Sequence, residues 1–202
     1  MAERHPILKQ LPNYLTILRI SLVPALVVVM LFIGKEDPAT LKPEFLTLSY
    51  ISALILFALA TTDFFDGYLA RRLDLVTTTG KFLDPIADKF AVMSAMIMCV
   101  SLDRVPAWMV VVIIGREMAV TGLRGIASSE GIVIESSMLG KYKTTFQYVA
   151  LVALLLHYRC TYLNLNFHNV GTVFLYIALI FTLWSGIEYF LRFSKAALSP
   201  KK

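Results

Sequence analysis

Charged residues are scarce in this chain. Asp, Glu, Lys and Arg make up only 16% of its 202 residues, whereas 57% are hydrophobic and the mean hydropathy is +0.70. A soluble domain carries about 25% charged residues, so the composition argues against an ordinary soluble protein. The apolar residues also fall into blocks of about 20, the length that crosses a hydrocarbon core. The sequence therefore predicts a polytopic helical membrane protein.

Cysteine is scarcer still, with only Cys99 and Cys160 in the chain. Cys99 lies inside an apolar run and Cys160 at the end of another, so both are predicted to be packing residues and no disulfide framework is expected. The first apolar run continues without a small-residue cleavage site, so we expect no cleavable signal peptide. Because repeats and linkers are also lacking, residues 1–202 are predicted to form one domain.

Six apolar blocks follow a polar, basic segment at residues 1–14. The fold class is therefore predicted to be all-α, with a short cytoplasmic or interfacial N-terminal segment and six transmembrane helices. The predicted spans are residues 15–33, 45–70, 80–100, 106–126, 144–158 and 170–191. An even number of spans puts both termini on the same side of the membrane.

Lysine and arginine are divided unevenly between the two sides. Thirteen of the 19 lie in termini and loops on the N-terminal side, and four lie in the opposite loops, namely Lys35, Lys42, Arg104 and Arg159. Because cytoplasmic loops are enriched in these residues, we expect both termini to be cytoplasmic. The connection between the second and third spans is then expected at the same face.

Two pairs of aspartates flank that connection. Asp63 and Asp66 are three residues apart and Asp84 and Asp88 are four apart, so each pair shares one face of a helix. One such pair is more typical of a helix cap or a solvated charge, but carboxylates flanked by apolar runs at a membrane border favour a functional site. Converging carboxylates repel unless cations lie between them. Hard oxygen ligands suit Mg²⁺ or Mn²⁺, and two such ions about 3.5–4 Å apart serve phosphoryl transfer.

Small and basic residues accompany the aspartates. Gly67 and Ala70 lack bulk on this part of the helix, which leaves room for a flat or phosphate-bearing ligand. Arg71 follows immediately and can pair with a phosphate. Together with the carboxylates, these residues indicate a diphosphate substrate.

The spacing D-x2-D-G-x2-A-R-x8-G-x3-D-x3-D resembles the signature of the CDP-alcohol phosphotransferase family. It is formed by Asp63, Asp66, Gly67, Ala70, Arg71, Gly80, Asp84 and Asp88. The resemblance implies that the four aspartates bind two divalent cations, Mg²⁺ or Mn²⁺, and that Asp88 is also the general base. It further implies that the glycines, the alanine and the arginine of the motif bind the CDP part of the donor.

An N-x2-T-x2-R run leads into the first span at its predicted cytoplasmic end. It is formed by Asn13, Thr16 and Arg19. We assign this run to the donor-binding site, although a helix cap followed by an interfacial arginine would give the same pattern.

Basic residues of the fourth and fifth spans crowd towards the face that carries the aspartates. They are Arg116, Arg124, Lys141 and Lys143. Their charge predicts an acceptor that is itself a phosphate ester. Two alternatives stay open, because Arg116 and Glu117 would form an internal ion pair equally well and the lysines would also suit interfacial anchoring.

Residues 116–124 and 140–147 resemble segments of the bacterial family members that use sn-glycerol 3-phosphate as acceptor. This resemblance implies transfer of a phosphatidyl group from CDP-diacylglycerol, with phosphatidylglycerophosphate and CMP as products. It also implies a homodimer in the bacterial cytoplasmic membrane.

Three other functions remain open: a family member with another acceptor, such as phosphatidylglycerol or inositol phosphate, an intramembrane prenyltransferase, and a divalent-cation carrier. The prenyltransferase is disfavoured because both aspartate pairs lie within 26 residues. The carrier is disfavoured because the pairs are predicted at a membrane border, whereas transporters bind their ions near the midplane.

Overall fold

The computed structural model describes residues 18, 21–35, 42–73, 78–130, 138–160 and 165–198. Within these ranges, side chains are described except at residues 63–73, 78–88, 138–139, 141, 159–160 and 197–198. The described chain is mostly helical.

Six helices account for most of the described chain. They are α1 (Ser21–Leu31), α2 (Pro43–Leu73), α3 (Thr78–Ser101), α4 (Ala107–Ser129), α5 (Met138–Leu156) and α6 (Phe167–Leu198). A short antiparallel hairpin joins α5 to α6 and consists of β1 (Arg159–Cys160) and β2 (Leu165–Asn166). The helices confirm a mostly helical fold, whereas the hairpin is not predicted from the sequence.

Several helices extend beyond the predicted spans. Helix α2 begins at Pro43, where a missing N–H costs nothing, and Glu44 complements the helix dipole in the first turn. It continues past the aspartates without a break in its helical backbone. Helix α5 begins at Met138, so residues 140–143 belong to the helix rather than to the preceding connection.

Within the described residues, two helical stretches are long and apolar enough to cross a membrane, Pro43–Thr62 and Phe167–Ala196. Three shorter apolar stretches are Ser21–Leu31, Lys89–Ser101 and Tyr142–Leu156. Together with the low charge content, these helices indicate a membrane protein. The number of six spans stays a prediction.

Every helix contributes a buried face to one core. Its fully buried side chains include Leu26 of α1, Leu56 of α2, Met96 of α3, Ile113 of α4, Leu154 of α5 and Leu175 of α6. The outer surface is apolar as well, since Leu54 is 68% exposed and Trp184 is 63% exposed. In a bilayer such a surface faces acyl chains, so the helices must be held together by close packing and internal polar contacts.

Helices α5 and α6 approach each other closely at Gly171. A Cβ atom at this position would lie 2.7 Å from Leu154 Cγ and 2.9 Å from both Leu154 N and the Ala150 carbonyl oxygen. Two of these are backbone atoms, which cannot move without shifting α5. Small residues allow backbones to approach in this way in membrane bundles. Gly171 therefore sets the separation of α5 and α6.

Arg104 connects the turn between α3 and α4 to α2 and α5 at one end of the bundle. It lies in the turn between α3 and α4 and is buried. Its guanidinium donates to the carbonyl oxygens of Leu155 (2.9 Å) and Leu154 (3.3 Å) in the last turn of α5. It also donates to Ser49 Oγ (3.2 Å), early in α2. These carbonyls have no partner within their own helix end, so the arginine completes their hydrogen bonding.

A second contact lies at the same end. Lys35, which follows α1, forms an ion pair with Asp103 in the turn between α3 and α4, at 2.7 Å. The end of α1, the start of α2, the turn between α3 and α4 and the end of α5 thus lie together. Neighbouring helices therefore alternate in direction, and α2 ends and α3 begins at the other end of the bundle.

We expect Gly171→Ala to destabilise the protein, although Gly→Ala within a helix usually stabilises by about 1 kcal/mol. The added methyl group would press on the backbone of α5, so the free energy of unfolding should fall by about 1–3 kcal/mol. Gly122→Ala is the matched control, because a Cβ atom there meets nothing within 4 Å. Thermal unfolding in detergent micelles measures both changes. A midpoint for Gly171→Ala equal to that of the control would contradict the close approach.

Candidate active site

The two aspartate pairs lie on α2 and α3, at the end of the bundle where these helices are connected. Asp63 and Asp66 lie ten and seven residues before the last residue of α2. Asp84 and Asp88 lie six and ten residues after the first residue of α3. At a rise of about 1.5 Å per residue, the outer members of the two pairs lie roughly 15 Å from their helix ends and the inner members roughly 10 Å. The backbone thus places the pairs at matching depths on two neighbouring helices.

Several residues of the predicted site lie wholly or in part outside the described structure. The side chains outside the described set are those of the four aspartates and of Gly67, Ala70, Arg71, Gly80 and Lys141. The residues of the N-x2-T-x2-R run, Asn13, Thr16 and Arg19, lie outside the described residues altogether. Among the side chains that are described, no three of His, Cys, Asp or Glu come together as a metal site requires. The roles of all these residues stay predictions.

Arg116 is held on three sides inside the bundle. Its Nε donates to the Thr182 carbonyl oxygen of α6 at 3.1 Å, and its Nη2 donates to Ser185 Oγ at 2.8 Å. Its Nη1 donates to Glu117 Oε1, also at 2.8 Å. Gly186 makes room for this arrangement, because a Cβ atom there would lie 3.1 Å from Arg116 Cγ. Arg116 therefore fastens α4 to α6.

Glu117 accepts hydrogen bonds from cations on two helices. The atom that accepts from Arg116 also accepts from the ammonium group of Lys143 on α5. Lys143 is only 5% exposed, so it lies inside the bundle and does not serve as an interfacial anchor. The ion pair of Arg116 with Glu117, left open as an alternative to acceptor binding, is present, and Lys143 extends it into a three-charge cluster that connects α4, α5 and α6.

A cavity of about 150 Å³ lies between α3, α4 and α5. Its polar lining consists of Lys89, Glu117, Lys143, Thr144 and Gln147. Its apolar lining consists of Val92, Met93, Met96, Ile113 and Ile114. The cavity therefore has a charged side, with two lysines and a carboxylate, and an apolar side formed by the core.

Lys89 connects this cavity to the aspartate pairs. It directly follows Asp88 on α3, and its ammonium group donates to Thr121 Oγ1 of α4. The aspartate motif gives Lys89 no role. The available signal is its place, because a lysine inside an apolar run and next to a candidate site aspartate is costly unless it has a function.

Arg124 lies apart from the cavity. Its guanidinium carbon is 5.8 Å from the ring centroid of Tyr189 on α6, within the range of a cation–π contact. Arg124 is exposed. The structure thus brings Lys143 to the cavity and Arg116 behind it, whereas Arg124 lies at the surface. Contact of these residues with the acceptor stays a prediction.

Comparison with known protein families shows which family the chain belongs to. Residues 9–184 match the sequence model of the CDP-alcohol phosphatidyltransferase family. The chain belongs to this family. The resemblance inferred from the aspartate motif is thereby confirmed.

Curated relatives of the chain within the CDP-alcohol phosphatidyltransferase family share one name. A protein of Bacillus subtilis strain 168 named CDP-diacylglycerol–glycerol-3-phosphate 3-phosphatidyltransferase is 46% identical over 185 residues, which cover 89% of this chain and 93% of the relative. Proteins of the same name are 38% identical in Rickettsia typhi, covering 91% of this chain and 96% of the relative, and 35% identical in Haemophilus influenzae, covering 93% and 95%. The similarity thus extends over nearly the full length of each relative.

The aspartate pairs of this CDP-alcohol phosphatidyltransferase suit a divalent metal by the chemistry of their donors. Two carboxylates come from α2 and two from α3, at matching depths along the helices. Several hard oxygen donors from neighbouring elements are what Mg²⁺ and Mn²⁺ prefer. The chemistry of these four donors therefore fits a divalent-metal centre.

We expect Arg116→Gln to destabilise this CDP-alcohol phosphatidyltransferase. The substitution removes one partner of a buried ion pair and leaves the α6 acceptors without their donor, so the free energy of unfolding should fall by about 3 kcal/mol. Arg192→Gln is the control, because Arg192 pairs with Glu188 at 2.5 Å on the outside of α6 and its side chain is 48% exposed. Loss of such a pair costs about 0.5 kcal/mol or less. Equal shifts of the unfolding midpoint in micelles would show that Arg116 does not fasten α4 to α6.

Proposed function

We propose that this chain is a CDP-diacylglycerol–glycerol-3-phosphate 3-phosphatidyltransferase. It transfers the phosphatidyl group of CDP-diacylglycerol to sn-glycerol 3-phosphate and releases CMP. The observation that carries the proposal is the full-length similarity to relatives of that name in three organisms. The cavity lined by Lys143 and by Lys89, which follows Asp88 in the sequence, supports an anionic acceptor.

The donor is proposed to bind against the aspartate end of α2 and α3. Asp63, Asp66, Asp84 and Asp88 would hold two divalent cations, Mg²⁺ or Mn²⁺, which when bound neutralise the charge of the diphosphate. Gly67 and Ala70 lie on the helical part of α2 that carries Asp66, and they leave space for the CDP moiety. Arg71 supplies a guanidinium for a phosphate. Gly80 at the start of α3, together with Asn13, Thr16 and Arg19, completes the proposed donor site.

The proposed reaction is a direct displacement at phosphorus. Asp88 accepts the proton of the acceptor hydroxyl as general base. The hydroxyl oxygen forms a bond to the β-phosphorus, and the bond from this phosphorus to the bridging oxygen breaks. The electron pair stays on that oxygen, which leaves as part of CMP. Holding both substrates in line at the aspartate end supplies the proximity that such a step requires.

The acceptor phosphate is proposed to bind in the cavity between α3, α4 and α5. Lys89 and Lys143 line it directly, and Arg116 adds positive charge from behind Glu117. A phosphate monoester carries about −1.5 to −2 charges at pH 7, so it matches a pocket with an excess of cations. Arg124 and Lys141, near the same end of the bundle, would attract the anion from the cytosol.

The proposed setting is the bacterial cytoplasmic membrane. The excess of Lys and Arg on the side of the termini supports a cytoplasmic location of the aspartate end. This orientation agrees with the alternation of helix direction, because Lys35 and the turn that contains Arg104, which belong to the side with few Lys and Arg, lie together at the opposite end. Six spans and a homodimer are part of the same proposal.

We expect purified protein with Mg²⁺ or Mn²⁺ to release CMP from CDP-diacylglycerol only when sn-glycerol 3-phosphate is supplied. The cations of the cavity favour a phosphate ester over serine, and the shared name of the relatives favours sn-glycerol 3-phosphate over the other acceptors. An acceptor panel with CMP as readout tests this, with serine, inositol phosphate and phosphatidylglycerol as competitors. Equal release with inositol phosphate or phosphatidylglycerol would contradict the proposed acceptor.

We expect Asp88→Asn to abolish turnover while nucleotide binding is partly retained, because the amide cannot take the hydroxyl proton but the donor pocket remains. The control is Asp103→Asn, since Asp103 is exposed in the turn between α3 and α4 and pairs with Lys35 far from this end. CMP release and CDP binding are measured for both variants. Near-normal turnover of Asp88→Asn would remove Asp88 from the role of general base.

A further inference from the structure

Glu117 occupies a central place in the charged cluster, yet neither the aspartate motif nor the proposed reaction gives it a role. A single atom, Oε1, accepts from Arg116 at 2.8 Å and from Lys143. Its side chain is 15% exposed, and it lines the cavity together with Lys143 and Lys89. A negative charge in a pocket for an anion needs an explanation, because by itself it weakens binding of the anion.

The orientation of Glu117 is fixed from behind. Arg116, its neighbour on α4, is bonded to the Thr182 carbonyl oxygen and to Ser185 Oγ of α6, and it does not line the cavity. The hydrogen bond from Arg116 therefore holds the carboxylate of Glu117 in one place relative to α6. The same carboxylate oxygen holds the ammonium group of Lys143, which comes from α5. Glu117 is thus the link between a rigid guanidinium and a lysine at the cavity wall.

A lysine side chain benefits more than an arginine side chain from a counterion that fixes its position. Its ammonium group sits on a flexible four-carbon stem, which carries about 2 kcal/mol of rotamer entropy. A counterion that fixes the stem before the ligand arrives lowers the entropy lost on binding. Lys143 is almost fully buried, so its ammonium group needs a charged partner in the absence of ligand.

The charge of the pocket stays positive in spite of Glu117. The described charged groups in and behind the cavity wall are Lys89, Lys143, Arg116 and Glu117, three cations and one anion. Their excess of two positive charges matches a phosphate monoester, which carries about −1.5 to −2 charges. Glu117 can therefore order Lys143 without reversing the attraction of the pocket for the acceptor.

We infer that Glu117 is a positioning residue for the acceptor, which acts by holding the Lys143 ammonium group at the wall of the cavity. This inference rests on the proposed function, since it takes the cavity to bind the phosphate of sn-glycerol 3-phosphate. It assigns to Glu117 an effect on acceptor affinity and none on donor affinity. It also requires that the effect passes through Lys143 alone.

The experiment measures CMP release as a function of each substrate for Glu117→Gln, Lys143→Gln and the double variant. For Glu117→Gln we expect the KM for sn-glycerol 3-phosphate to rise by roughly tenfold, within the range of couplings between contacting residues, and the KM for CDP-diacylglycerol to stay within about twofold. In the Lys143→Gln background, Glu117→Gln should cause no further rise, because there is no ammonium group left to position.

Glu188→Gln is the matched control. Glu188 also pairs with an arginine, Arg192 at 2.5 Å, but on α6 and outside the cavity. Its removal should leave both KM values unchanged. Should Glu117→Gln fail to give folded protein, Glu117→Asp retains the charge but draws the carboxylate back by one methylene, and it should raise the acceptor KM alone.

Several outcomes would overturn the inference. A lower acceptor KM in Glu117→Gln would mean that Glu117 only dilutes the positive charge of the pocket. An unchanged acceptor KM, or equal rises for both substrates, would mean that its role is purely structural. Additive effects in the double variant would show that Glu117 does not act through Lys143. Absence of acceptor-dependent CMP release by the unaltered protein would instead reject the proposed function, and the inference with it.

Discussion

A charge inside an apolar helical bundle must have a partner, and this constraint shapes both ends of the protein. At one end, the buried guanidinium of Arg104 is satisfied by the carbonyl oxygens of Leu154 and Leu155 and by Ser49. Towards the other end, the carboxylate of Glu117 is shared by Arg116 and Lys143. Because lipid cannot drive helices together as water does, these polar contacts and close approaches such as that at Gly171 decide which helices are neighbours.

The two ends serve different purposes. The Arg104 contacts use the donors of the guanidinium to join the turn between α3 and α4 to α2 and α5, and they do not line the cavity that contains Lys89 and Lys143. The other end brings the aspartate-bearing parts of α2 and α3 to matching depths and leaves a cavity with two lysines beside them. Phosphoryl transfer depends mainly on placing charge and holding substrates in line. A bundle whose candidate site residues are gathered at one end suits that chemistry.

Local patterns in the sequence predict a large part of this account. The apolar blocks indicate the helices, and the spacing of Asp63, Asp66, Asp84 and Asp88 predicts the family, which the comparisons confirm, and a metal-assisted chemistry, which stays a prediction. The order of the motif along the chain is enough to predict that the two aspartate pairs lie at the same end of the bundle, because both pairs flank one short connection in the sequence. The uneven distribution of Lys and Arg predicts that Lys35 and Arg104 lie on the same side of the membrane. The ion pair between Lys35 and Asp103, the residue before Arg104, agrees with this prediction.

Long-range packing supplies what the sequence does not predict. The contact of Arg116 with α6 joins residues 66 and 69 positions apart, and no local pattern indicates such a partner. Lys89 gains its place at the cavity wall only when α3 packs beside α4 and α5. The hairpin between α5 and α6 is two residues long on each strand, too short for an alternating pattern to show.

The proposed function requires a divalent-metal centre on α2 and α3 and a phosphate-binding cavity at the same end of the bundle. Crystals grown with Mn²⁺, CDP and sn-glycerol 3-phosphate test it most directly through the anomalous scattering of manganese. The account predicts manganese peaks between the aspartate pairs and acceptor phosphate density against Lys89 and Lys143. Manganese bound elsewhere, or a phosphate bound away from this cavity, would contradict it.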